Sequence, residues 1–180
     1  MIEVEILNQG SVPACSAYAC ATLANAYLKK QGITETVDAL KLYEESRRNG
    51  RDGTKYEDLF ADGTGQGWPM MSGKRIKIKS WEFIKPQISE IEKAIDKYGG
   101  VVASYDLYDG DPFTDRFRNN RLVRRPSTQH GITFVGYNDN AKEVKFANSW
   151  GTSWQENGFA YIPYVLTSYD FLKQIYTFSI

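Results

Sequence analysis

Small and apolar side chains, chiefly Ala, Leu and Tyr, run from residue 14 to residue 31 with no proline among them past Pro13, and Gly32 closes the run. The pattern predicts a helix over 14–31, stopped by a residue that takes the left-handed conformation without strain. Leu40 and Tyr43 mark the apolar side of a second helix near 37–48, ended by Asn49-Gly50. Thr54-Lys55-Tyr56-Glu57 has the spacing of a capping box and predicts a short third helix closed by Asp62-Gly63. Arg75-Ile76-Lys77-Ile78-Lys79 alternates strictly and predicts a strand. Ser89-Glu90-Ile91-Glu92 predicts the start of a helix to Tyr98, ended by Gly99-Gly100. Past residue 100 the pattern turns to β, with strands expected over 101–107, 131–137, 143–149, 158–162 and 174–179 and a turn at Asn138-Asp139-Asn140. Helices first and strands second predict an α+β fold of two lobes in a single domain over 1–180. The helical lobe is expected at about 1–98 and the antiparallel β lobe at about 99–180.

Composition narrows the classes. A chain of 180 residues with 42% apolar and 24% charged content can bury a core without disulfides or metals. The net charge of +0 favours neither nucleic acid nor an anionic membrane, and neither is expected as a partner. No apolar run reaches the roughly 20 residues of a membrane helix. The first ten residues lack the basic start and apolar stretch of a secretory leader. Cys15 and Cys20 lie about 140° apart around the first predicted helix and cannot bridge each other there. There is no Asn-x-Ser/Thr glycosylation site. A reducing, cytoplasmic setting is expected.

Three residues change the picture from fold to chemistry. Cys15 stands at the start of the first helix, where the positive end of the helix dipole favours a thiolate. His130 is the single histidine, at the start of the predicted strand 131–137. Asn148 ends the neighbouring strand, and antiparallel pairing brings it to the same end of the hairpin as His130. A thiol, an imidazole and an amide oxygen that orients the imidazole make a nucleophile, its base and a positioning group.

In three places the chain resembles the papain family of cysteine peptidases. Gln9, Gly10, Ser11, Cys15, Ala17 and Tyr18 match the family's Gln-Gly-Ser-x-x-x-Cys-x-Ala-aromatic run opening a helix. His130 through Val135-Gly136-Tyr137 matches its histidine strand. Asn148, Ser149, Trp150, Gly151, Trp154, Gly158 and Phe159 match its Asn-Ser-Trp-Gly-x-x-Trp-x-x-x-Gly-aromatic segment. The order Cys, His, Asn agrees. The separation of Cys15 from His130 is shorter than the about 130–150 residues usual in such enzymes, so the resemblance is to a compact version. It implies a papain-like two-lobe fold with the site in the cleft between the lobes. It also implies a peptidase working through a thioester, with Cys15 as nucleophile, His130 as acid and base, Asn148 as orienter and Trp150 shielding their bond. Gln9 and the Cys15 N–H would form the oxyanion hole. Gly67-Trp68-Pro69 resembles the family's Gly-aromatic-Pro segment that lines the cleft. Ser104 and Gln129 are candidates for the pocket that selects the second residue before the cut, which would make that pocket partly polar.

The chain also departs from the family. Ser16 replaces the tryptophan usual after the nucleophile, Val12 replaces a cysteine that is normally disulfide-bonded, and Gln155 stands where glycine is common. The missing disulfides resemble bacterial or viral members. Only eight residues precede Gln9, so no inhibitory propeptide is expected. Neither cofactor nor metal is expected, and the partner is a peptide or protein substrate. Five arginines within Arg116–Arg125 form a candidate docking arm for an acidic partner. The alternatives are acyl transfer at the same site, as peptide ligation or deamidation, and an inactive peptide-binding module.

Overall fold

The computed structural model describes residues 2–108, 126–168 and 171–180. Helix α1 (Cys15–Lys30) is buried over almost its whole circumference from Ser16 to Leu28, which explains why its pattern reads as small and apolar throughout. Lys29 and Lys30 occupy its last turn, where positive charge complements the helix dipole. Helix α2 (Ala39–Ser46) is capped by the Asp38 carboxylate, which accepts from the Lys41 N–H at 3.0 Å.

Helix α3 (Tyr56–Gly65) departs from the capping-box expectation. Lys55 is the N-cap, no side chain caps it, and the Thr54 hydroxyl is buried without a hydrogen-bond partner. Gly63 does not stop the helix. It lies inside it, where a Cβ would run into Ile78 Cγ1 and come within 2.8 Å of Trp68 Nε1. The glycine is a close-packing site, and glycine's role as a helix stop is its commoner signature in sequence.

The alternating run at 75–79 forms two different things. Strand β1 (Trp68–Pro69) pairs with β2 (Arg75–Ile76), which takes only the first two residues of the run. Ile78 then turns into the core, its N–H donating to Gly63 O at 3.0 Å. Strand β3 (Ser80–Phe83) was not expected, and it is an edge strand paired with the C-terminal strand β8 (Leu172–Ser179), Ser80 opposite Ser179. Its partner lies at the other end of the chain, so no local pattern announces it.

Helix α4 (Ile88–Tyr98) starts one residue before the expected cap, with Gln87 as N-cap, and ends at Gly99 in the left-handed region at φ 93°. Strands β4 (Val101–Tyr108), β5 (Pro126–Asn138), β6 (Glu143–Ala147) and β7 (Phe159–Pro163) complete a six-stranded antiparallel sheet of the described residues, in the order β3-β8-β4-β5-β6-β7. His130 therefore lies inside a strand that begins at Pro126, and Asn148 lies one residue past the end of β6.

The lobe boundary expected near residue 98 does not hold. Ile91, Ala94 and Ile95 of α4 pack with Ile132, Phe134, Phe146 and Ile175 of the sheet in the β-lobe core. Val102, Tyr176 and Phe178 belong instead to the helical-lobe core with Leu23, Phe60 and Trp68. Alternation along β4 and β8 explains this, since successive side chains face opposite sides of the sheet. One sheet face thus completes the core of the helical lobe and the other the core of the β lobe.

Candidate active site

The thiol of Cys15 is set by three features of the chain around it. Cys15 is the first residue of α1, and its N-cap Ala14 offers no side-chain hydrogen bond, so the first-turn N–H groups and the positive end of the dipole remain at the thiol. The preceding loop is pinned by Val12 N–H to Gln9 O at 3.2 Å and Ala14 N–H to Val12 O at 2.8 Å. The start of α1 also lies directly on β5. A Cβ on Gly131 would sit 2.8 Å from the Cys15 carbonyl carbon and 2.8 Å from the Ser16 nitrogen. Only glycine permits that approach.

That approach brings the neighbouring His130 to the thiol. His130 Nε2 lies 2.7 Å from Asn148 Oδ1, and both residues are buried. The same oxygen accepts from the Ser149 N–H at 2.8 Å, which fixes the end of the amide facing the ring. A carbonyl oxygen only accepts, so Nε2 carries the proton and Nδ1 is left for the thiol. The Trp150 ring stands 4.8 Å from the imidazole, and Trp154 meets Trp150 edge-on at 5.4 Å. Aromatic cover of this kind keeps water from the His130–Asn148 bond and strengthens it. Asn148 Nδ2 is buried without a hydrogen-bond partner among the described residues, a cost carried while Oδ1 serves two donors.

Burial acts first on the Cys15 thiol and pushes its pKa up. The hydrogen bond and positive charge of His130 oppose it, aided by the Gly131 N–H and the Ser16 hydroxyl, and the net result lies below the ordinary value of 9.0. Cys20, fully buried on the same helix with no such partner, is pushed well above it.

Gln9 is tied to the same constellation from the other side. Its N–H donates to Ser149 O at 2.8 Å, its Nε2 to Val12 O at 2.8 Å, and its Oε1 accepts from the Ser149 hydroxyl at 2.5 Å. Asn8 bridges to Trp150 alongside. Ser149 thus holds Gln9 through its hydroxyl and Asn148 through its N–H.

Of the residues singled out from sequence, Cys15, His130, Asn148, Gln9 and Trp150 come together. Gly67, Trp68 and Pro69 do not join them. Trp68 is fully buried between Phe60 and Phe178, with Nε1 donating to Leu59 O at 2.7 Å. Gly67 donates to Asp62 O, and its carbonyl accepts from Arg75 Nη1 at 2.8 Å. Both its backbone groups are spent within the chain, so the segment closes α3 and opens a hairpin and offers no wall to a substrate. Ser104 and Gln129 lie on the sheet face that carries Gly131, Ser104 directly opposite it. Ser104 is buried and Gln129 exposed, Gln129 donating to Asp106 Oδ1 at 3.2 Å. The Arg116–Arg125 segment lies outside the described residues.

Two residues near the thiol carried no individual signal, and a third stood out only as a departure from the family. Gly131 reads as an ordinary strand glycine, and Ser149 as filler within its motif. The hydroxyl of Ser16 lies close enough to the Cys15 thiol and the buried Tyr56 hydroxyl to favour the ionised form of both, and the Tyr56 hydroxyl donates to Ala103 O at 3.0 Å. A polar residue directly after Cys15 is the one clue the sequence held.

The family model described as "Papain family cysteine protease" matches residues 15–169. Among curated proteins, none matches the chain by sequence. Solved structures match closely in fold. Xylellain, a cysteine protease from Xylella fastidiosa, superposes with a TM-score of 0.84 at 15% identity, over 97% of this chain and 82% of its own. The digestive procathepsin L2 proteinase of Tenebrio molitor larval midgut gives 0.78 at 14% identity, over 99% of this chain and 65% of its own. The ragweed pollen cysteine protease Amb a 11, in its proform, gives 0.73 at 19%, over 98% of this chain and 61% of its own. With its helices N-terminal, its antiparallel sheet C-terminal, and this match over most of its length, the chain belongs to the papain family of cysteine proteases and is a thiol-dependent peptidase.

Proposed function

We propose that peptide-bond hydrolysis here runs through Cys15, His130 and Asn148, with Gln9 and the Cys15 N–H as oxyanion donors. The observation that carries this reading is the 2.7 Å bond between His130 Nε2 and Asn148 Oδ1, beside a thiol whose pKa His130 lowers. In this reading Cys15 Sγ attacks the scissile carbonyl carbon as a thiolate. The carbonyl electrons move onto oxygen, and the oxyanion accepts from the Cys15 N–H and from the second proton of Gln9 Nε2, the first being held by Val12 O. The tetrahedral species collapses, the C–N bond breaks, and His130 delivers its Nδ1 proton to the departing amine. A water then gives its proton to His130 and attacks the thioester carbon, a second oxyanion forms at the same donors, and Sγ leaves with the acid product released. Asn148 holds the ring in place through both proton transfers.

The test is single-turnover kinetics with mass spectrometry on a peptide amide. Wild type should show a chain heavier by the acyl group at Cys15 and should release a free acid, and Cys15→Ala should show neither while unfolding at a similar temperature. Acyl groups delivered to an added amine in preference to water would make the site an acyl transferase. Hydrolysis surviving in Cys15→Ala would remove the assignment altogether.

A further inference from the structure

One edge of the six-stranded sheet is closed and the other is open. At β7, Phe159 exchanges both of its backbone bonds with Glu156 at 3.2 Å, and Pro163 ends the strand with no N–H to offer. At the opposite edge β3 bonds to β8 on one side only. Half of its N–H and C=O groups therefore point outward, and no strand of the described residues receives them. All four residues from Ser80 to Phe83 are exposed. Three strand spacings, roughly 14 Å in all, separate β3 from β5, so this edge stands apart from the strand that carries His130.

Trp81 and Phe83, two residues apart on one face of the strand, are 41% and 46% exposed. Their inner sides are fixed. Trp81 stacks on Phe60 at 5.3 Å, and both rings stand 5.7 Å from the Tyr176 ring. They make an apolar step directly beside the open backbone. Lysines stand at both ends of the strand, Lys77 and Lys79 before it and Lys85 after it, and all three are exposed. None of them is in an ion pair among the described residues, and Lys77 and Lys79 reach only the carbonyls of Gly65 and Ile180. Glu82 is the only acid between Lys74 and Lys85. Outward N–H and C=O groups in strand spacing are matched by another extended chain, and the flanking lysines favour carboxylates on it. A second copy of β3 fits badly. In the antiparallel register that sets Trp81 opposite Phe83, Lys79 of each copy faces Lys85 of the other.

We propose that β3 is a docking edge that takes an extended, acidic segment of a partner protein as a further strand of the sheet. The segment lays apolar side chains on Trp81 and Phe83 and carries carboxylates to Lys79 and Lys85. Those lysines are six positions apart, roughly 20 Å along an extended chain, so the segment spans about seven residues. Docking here does not depend on the chemistry at Cys15.

The probes are two display libraries of seven-residue peptides between flexible linkers, one with glutamate fixed at both ends and one with glutamine there, the interior randomised in both. Both are selected on Cys15→Ala, so that the thiol cannot consume them. The glutamate library should enrich, with apolar residues at alternate interior positions. Binding of an enriched peptide, read by fluorescence anisotropy, should slow amide hydrogen exchange at residues 80–83. Methylating alternate backbone nitrogens of that peptide, in the set that faces β3, should weaken binding about 10-fold or more, because each methyl removes a ladder bond. Lys85→Glu should weaken it about 5-fold or more, with the difference shrinking as salt rises. A folded Phe83→Ser should weaken it about 10-fold. Equal enrichment of the glutamine library overturns the proposal, as does protection that leaves 80–83 unchanged. Binding indifferent to Lys85→Glu overturns it too, and that variant leaves the aromatic face intact. A wild-type dimer in sedimentation that Phe83→Ser dissolves would make a second copy the occupant and overturn the acidic partner.

Discussion

His130 acts on Cys15 through a hydrogen bond and a positive charge, and titration of the thiol reads their sum. Burial alone raises the thiol pKa, and the bond and charge of His130 bring it below the ordinary value. A lowered pKa means that the thiolate persists to lower pH than in an ordinary thiol and is lost as pH falls through the lowered value. At pH 7 alkylation of wild-type Cys15 by iodoacetamide should therefore outpace that of an ordinary thiol of equal exposure. In His130→Ala only burial and the weaker Gly131 and Ser16 contacts remain, so the pKa moves up and the thiolate is lost at higher pH. Each unit of that rise costs tenfold in thiolate at neutral pH, and labelling at pH 7 should fall by about 10-fold or more. An unchanged profile would show that His130 is a neighbour only. Ser149 is a positioning residue of another kind, because its hydroxyl fixes the Gln9 carbonyl. Gln9→Ala should lower kcat by roughly 10²–10³ with KM little changed. Ser149→Ala should lower kcat by about 10-fold, and should add little once Gln9 is already alanine. Additive losses, or a change confined to KM, would show that Ser149 does not act through Gln9.

At the scale of elements, the site depends on how closely a helix end meets a strand. Helix α1 brings its first residue onto β5 at Gly131 and is held one turn further along by the Thr133 hydroxyl, which donates to Ala19 O at 3.0 Å. Gly131→Ala puts a methyl where backbone already stands. Overpacking of this kind costs about 1–3 kcal/mol, and here relief requires α1 to lift from the strand that carries His130. The expected outcome is a modest fall in the unfolding midpoint with a disproportionate fall in kcat/KM, larger than 10²-fold by the usual penalty for a ~1 Å misplacement. Stability and activity falling in step, as in a general core defect, would argue against this contact as the one that sets the geometry.

For the whole molecule, the two cysteines report on different states. Cys15 is half-buried beside His130 and Cys20 is fully buried in the helical-lobe core, and neither is in a disulfide. That core is closed by Val102, Tyr176 and Phe178 from the sheet, so exposing Cys20 requires the helical lobe to come off the sheet. Labelling should consume Cys15 in the native protein, and Cys20 should react only through opening, with a free energy that approaches global unfolding in urea. Fast labelling of Cys20 under native conditions would mean that the helical lobe opens independently of the sheet. The unfolding midpoint should be the same with and without a thiol reductant.

The sequence by itself determined the elements whose signals are local. The apolar run of α1, the Gly99 stop of α4 and the β-prone runs of β4 to β8 are each written in consecutive residues, because helix and strand preferences act over a few positions. It also carried the chemistry, since a thiol, an imidazole and an amide in three ordered motifs leave few readings. Tertiary structure decided what depends on partners far along the chain. Strand β3 exists because Ser80–Phe83 found Tyr176–Ser179, and Gly63 and Gly131 are small because Trp68, Ile78 and α1 press on them. Gly67-Trp68-Pro69 looked like a cleft wall and became core, because burying the Trp68 ring against Phe60 and Phe178 withdrew it from any substrate. The lobe boundary was not legible either, since a single alternating sheet serves both cores, and only packing shows which face each lobe takes.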